Sequence, residues 1–212
     1  MGNFNDALLE QLADRGNGFY AYINDQTEAD QVFGTRLTGT LDTIAQDARV
    51  QVEFNPAAVA AYRLLGYENR AMANQDFSNP AADAGEVGAG HSVTALYEIQ
   101  PTYSQDPTLG EMRLHWIDPD TGARLALTSE ISTSDFAPDF YSASPSFRLA
   151  ATVGGFAEIL RQSPYATGYT LNDVAREASA LMPSFGDQLE VIEFVHLAQA
   201  AAALSGNAIS DW

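Results

Sequence analysis

Cysteine is absent from the 212-residue chain, and so is lysine: all 10 basic residues are arginine. Without thiols there is no disulfide, no thiol nucleophile and no cysteine-ligated zinc, although the compartment stays open, because many domains in oxidising compartments also lack cysteine. Histidine is scarce, at His91, His115 and His196 only. No apolar run approaches the ~20 residues that a membrane-spanning helix needs. The opening "MGNFNDALLEQLADRG" has neither the basic start nor the apolar centre of a secretion signal. A myristoylated N-terminus would want Ser or Thr at position 6, where Asp6 stands. Positive charge is short as well, since 28 acids against 10 arginines leave a formal charge of -18. Such a surface repels phosphate backbones and anionic lipid, so neither nucleic-acid binding nor membrane insertion is expected. The acids read as the hydrated surface of a chain from an acidic proteome.

What is present is ordinary globular material, 46% hydrophobic and 18% charged, in a length that suits one full domain or two small ones. The N-terminal stretch reads as helix, strand, helix. "NDALLEQLADRG" puts Leu8, Leu9 and Leu12 on one helical face, "FYAYI" is a short aromatic strand, and "TEADQVFGTRLTGTLDTIA" is a second helix with Thr27 as its cap. From about Ala48 the period switches to two. "ARVQVEF", "AYRLLGYENR", "HSVTALYEIQP" and "EMRLHWIDPDTGARLALTSEI" alternate as strands, with "DPDTG" as a hairpin turn. After the polar stretch "STSDFAPDFYSASPS" the chain turns helical. "FRLAATVGGFAEILRQS" stops before Pro164, Thr170 and Asp173 stand at capping-box spacing, and Asp187 and Glu190 repeat that relation. The expected fold class is α+β: an antiparallel β-sandwich-like region followed by a C-terminal helical layer.

Several local patterns suggest chemistry. "DAGEVGAGHSV" gathers three glycines, but their spacing is neither a P-loop nor a dinucleotide fingerprint, and a strand follows where phosphate loops open onto a helix. Its glycines are expected to serve a turn or a bulge. "EISTS", Glu130 to Ser134, resembles the Asp-x-Ser-x-Ser loop of von Willebrand A domains, yet it ends a hairpin and not the first buried strand of an α/β sheet. "DPDTG" starts like a calcium loop, but the twelfth position counted from Asp118 is Ser129 and not a bidentate Glu. Glu193 and His196 form one Glu-x-x-His pair, half of what a di-iron bundle needs, and no second pair occurs. A Gly-x-Ser-x-Gly nucleophile elbow is missing too.

Four long motifs occur in order: "NFNDALLEQLADRGNGFYAYI", "VQVEFNPAAVAAYRLLGYENR", "DAGEVGAGHSVTALYEI" and "FRLAATVGGFAEILRQSPY". Together they resemble the C-terminal part of the bacterial YfbK-like von Willebrand factor type A proteins. The resemblance implies that residues 1–40 are the helix-strand-helix tail of an A domain, residues 41–137 a β-sandwich-like domain and residues 138–212 a helical region. It further implies that Met1 is an internal methionine and that the metal loop, with its Mg or Ca, lies upstream, so that no cofactor is expected in this chain. The function it implies is a non-catalytic protein-interaction and scaffold region in the cell envelope or periplasm. Its protein partner is unidentified, and an incomplete sheet edge invites self-association. Glu86 and His91 in the third motif, and Tyr67, Glu68 and Arg70 in the second, are the candidate interaction residues. The competing expectation is a metal- or His-dependent envelope hydrolase using His91, His115 or His196 with nearby acids.

Overall fold

The computed structural model describes residues 5–15, 20–23, 26–35, 42–66, 77, 85–104 and 106–207. The chain is α+β, with two antiparallel sheets and several helices, and its described residues fall into two compact units that interleave along the sequence. Residues 1–55, 72–93 and 109–131 supply the first unit, and residues 56–71, 94–108 and 132–212 the second.

The first unit is built on a four-stranded sheet in the order β3-β1-β5-β6, with β1 at Thr43–Phe54, β3 at Gly85–Gly88, β5 at Thr108–Ile117 and β6 at Arg124–Ser132. β1 pairs antiparallel with both β3 and β5, which sets Val50 opposite Leu114 and Val52 opposite Met112. A register shift between Gln46 and Arg49 bulges β1, and Asp47 inside it has a φ of 50°, a left-handed conformation that a non-glycine residue rarely adopts. Close pairing at the far end of this ladder requires a glycine. A Cβ on Gly110 would stand 2.5 Å from the Glu53 carbonyl oxygen. The β5–β6 hairpin forms as its turn residues dictate: Asp118 Oδ1 accepts from the backbone amides of Asp120 and Thr121, and the Asp118 amide donates to the Ala123 carbonyl. Helices α1, Asp6–Arg15, and α2, Gln26–Asp30, precede the sheet.

The second unit joins the two-stranded sheet of β2, Val59–Leu65, and β4, Leu96–Pro101, to α3, Pro145–Leu160, α4, Leu171–Leu181, and α5, Leu189–Asn207. Its core is the meeting of three apolar helix faces at Phe156, Val174 and Ala198, with Ile159, Tyr169, Leu171 and Phe194 packed around them. Phe156 and Phe194 meet edge to face with ring centroids 5.7 Å apart. "VGG" in α3 lets two other side chains come close: a Cβ on Gly155 would lie 2.9 Å from the Tyr169 ring, and one on Gly154 would lie 2.9 Å from Leu96 of β4.

Three sequence expectations need correction. "FYAYI" does not form a strand over its described residues, for Tyr20–Ile23 lie outside every helix and sheet; aromatic β-propensity is a weak preference that tertiary context overrides. The second helix does not run to Ala45. α2 gives way to a π-helical turn at Gln31–Thr35, and by Thr43 the backbone is already in β1, where β-branched Thr43 and Ile44 suit a strand better than a helix. Lastly, His91–Ala95 are irregular and exposed, so β4 starts only at Leu96. The region read as one β sandwich contains two sheets, one in each unit.

Candidate functional site

The glycine-rich motif is a turn after an edge strand. Glu86 is exposed on β3, whose described neighbour is β1, and the Ala89 amide donates to the Asp42 carbonyl at 2.7 Å. Gly90 has a φ of 78°, which closes a tight turn in which His91 donates its amide to the Gly88 carbonyl. Glu86 and His91 are therefore both exposed, on the strand and on the turn that follows it. The other three candidates, Tyr67, Glu68 and Arg70, lie outside the described residues.

The remaining motifs resolve into structure. In "EISTS", Ser132 caps a 3₁₀ turn over Thr133–Asp135: its hydroxyl accepts from the Ser134 amide, and Asp135 returns an oxygen to the Ser132 amide. This is the reciprocal box of a helix start, and Ser132 and Asp135 stand at that spacing in the sequence itself. Asp118 and Asp139 act likewise. Backbone amides and hydroxyls, of Thr121 in one case and Ser142 in the other, hold both carboxyls below the ordinary value. Glu193 and His196 are both exposed on α5. Among the described residues, no three His, Asp or Glu side chains converge where a cation would sit.

Sequence reading missed two long-range clusters. In the first unit, Arg49 is buried beside the β1 bulge, where its Nε and Nη2 donate to Asp47 Oδ1 at 3.0 and 2.6 Å and its Nη1 donates to the Phe77 carbonyl. His115, opposite Arg49 in the ladder, lies against the Phe77 ring with centroids 4.5 Å apart. These groups, with Trp116, Arg124 and Leu125, line a cavity of about 300 Å³. In the second unit, Glu158 of α3 is buried; Arg63 of β2 donates to it, and Arg161 forms an ion pair with it at 3.2 Å. Arg63 also pairs with Glu98 of β4 and lies 4.4 Å over the Tyr165 ring. Burial pushes the Glu158 carboxyl up, but hydrogen bonds from Arg63 and Ser163 and the charges of Arg63 and Arg161 pull it below its usual range.

A second cavity, of about 190 Å³, opens between Phe140, Tyr141, Thr152, Tyr169, Asp173 and Glu177. Arg148 lies 5.6 and 5.4 Å from the Phe140 and Tyr141 rings and donates to Glu177, which ties the 3₁₀ turn at Phe140–Ser142 to α3 and α4. Burial raises the Tyr169 phenol above its ordinary value; the charges of Glu177 and Asp173 add to the rise, against a hydrogen bond with Thr152. In the second unit, charged groups are thus held in pairs that join one element to another.

Comparison with known proteins agrees with the motif resemblance. Residues 39–113 match the family model described as "Uncharacterized protein YfbK, C-terminal". The chain is 30% identical over 220 aligned residues to the protein called "Uncharacterized protein YfbK" from Escherichia coli (strain K12), an alignment that covers 96% of this chain and 38% of that protein. The chain therefore spans well under half the length of that relative. No solved structure matches it. Among the described residues, no helix is long and apolar enough to cross a membrane. By both comparisons the chain is similar to YfbK, with residues 39–113 matching the YfbK C-terminal family model.

Proposed function

We propose that this chain is a non-catalytic interaction and scaffold region that supports a von Willebrand A domain, with residues 1–40 as the tail of that domain. The A domain's Mg or Ca would be held upstream, and the cell envelope is the compartment proposed. One observation carries the reading: nearly the whole chain aligns to a protein of which it spans 38%, so the corresponding region in that relative is part of a larger polypeptide. The paired charges at Arg63–Glu158 and Arg148–Glu177 support it, because they fasten strand to helix and helix to helix.

Calorimetric titration of Ca and Mg into the 212-residue chain, beside intact E. coli YfbK, tests the proposal. Binding by the intact relative alone is the expected result. Stoichiometric binding by the 212-residue chain, or a hydrolytic activity of that chain abolished by replacing His91, His115 and His196 with Gln, would overturn it.

A further inference from the structure

The four-stranded sheet of the first unit has two unlike faces. Register puts Val50 beside Leu114 and Val52 beside Met112 on one of them, and Arg49, Gln51 and Glu53 beside His115, Arg113 and Glu111 on the other. On the polar face Arg113 bridges to Glu53 and Glu111. Strands that alternate in this way are built to lay their apolar face on another layer. β3 pairs with β1 only over Thr43–Ala48, so among the described residues Val50 and Val52 lie on a stretch of β1 paired with β5 alone; Val50 is 52% exposed and Val52, Met112 and Leu114 are only partly buried. The adjoining edge strand β6 exposes Leu125 and Leu127 at 40% and 51%.

We propose that this apolar sheet face seats a second, apolar layer contributed by the portion of a YfbK-like polypeptide that precedes this region, an inference that rests on the scaffold reading above. Three observations select that occupant. E. coli YfbK is spanned only to 38% of its length, so most of its polypeptide lies outside the region aligned here. A segment of the same polypeptide meets the face at the high effective concentration of an intramolecular contact. A second copy is disfavoured by the -18 charge each copy would bring, and the same charge repels an anionic lipid surface.

Hydroxyl-radical footprinting with mass spectrometry tests the proposal, applied to the 212-residue chain and to intact E. coli YfbK. Reactivity is read at Met112, Leu114 and Val50 and at their aligned positions, with Val174 and its counterpart as the buried reference. Met112 and Leu114 are expected to react readily in the 212-residue chain and several-fold less at the aligned positions of the intact relative, with Val174 protected in both. The double variant Val50→Glu with Leu114→Glu is expected to fold in the 212-residue chain, while the aligned pair lowers the thermal midpoint of the intact relative. Equal reactivity in the two proteins would overturn the proposal, as would protection of the face in the 212-residue chain with a dimeric mass. Protection in intact YfbK without metal binding would sink the A-domain reading and leave the covered face standing; metal binding with an open face would do the reverse.

Discussion

The two units use their apolar residues differently. In the second, the apolar stripes of α3, α4 and α5 turn toward one another, and Val174 and Ala198 are fully buried where they meet. In the first, an apolar face of equal quality is written into β1 and β5 and left half open. The difference shows that amphipathic patterning specifies which face is to be covered and says nothing of where the cover comes from. Helices joined by short loops bring their own partners, whereas a sheet laid down by distant segments needs a second layer.

Substitutions that break this comparison are ranked here from the largest effect down. Gly110→Ala forces a Cβ against the Glu53 carbonyl on a backbone that cannot yield, so it should cost about 3 kcal/mol. Urea unfolding followed by Trp116 fluorescence measures it, with Trp212 replaced by Phe to isolate the signal. Two valines then sharpen the contrast. Val174→Ala empties a fully buried site in the second unit and should cost about 2.5 kcal/mol, whereas Val50→Ala, on the open face, should cost about 0.5 kcal/mol or less. Equal costs in calorimetric melts would mean that the Val50 face is already covered in the isolated chain.

Next comes Glu158→Gln, which leaves Arg63 and Arg161 without their buried carboxylate and should cost about 2 kcal/mol at neutral pH. Because the folded state depresses the Glu158 pKa, its contribution is fully present above the unfolded value of about 4.3 and is lost as pH falls through the folded value. The stability gap between wild type and variant should therefore close on acidification below about pH 4, and a gap independent of pH would refute the ion-pair account. A smaller effect than that of Glu158→Gln is expected at Thr170→Ala, which removes one half of a capping box at an exposed helix start for about 1 kcal/mol.

What could be read in the sequence was local. The Thr170–Asp173 box, the "DPDTG" turn and the three C-terminal helices each depend on residues within a turn or two of each other, and each forms where its spacing says. The Ser132–Asp135 box was equally local, and its likeness to a metal loop hid it. Pairings across the chain had no such signal. Arg49 finds its carbonyl 28 residues away at Phe77, and Arg63 finds Glu158 95 residues away. The alternation in β1 and β5 identified strands without naming their neighbours, because period two reports a face and not a register. In the aromatic "FYAYI" the described residues Tyr20–Ile23 form no strand, because β-propensity is a weak preference that tertiary context overrides.

Interleaving of the units has a consequence in time. β1 ends at Phe54 and its partner β5 begins at Thr108, so residues 55–107 must be made in between. At ribosomal speeds of about 5–20 residues per second, the Val50 half of β1, beyond its pairing with β3, waits on the order of 3–10 s before the strand that pairs it exists. Throughout that interval Val50 and Val52 sit on a strand with an open edge, in a nascent chain whose first unit cannot close until residue 131 has emerged. Slowing translation between residues 55 and 107 should therefore lower the soluble yield.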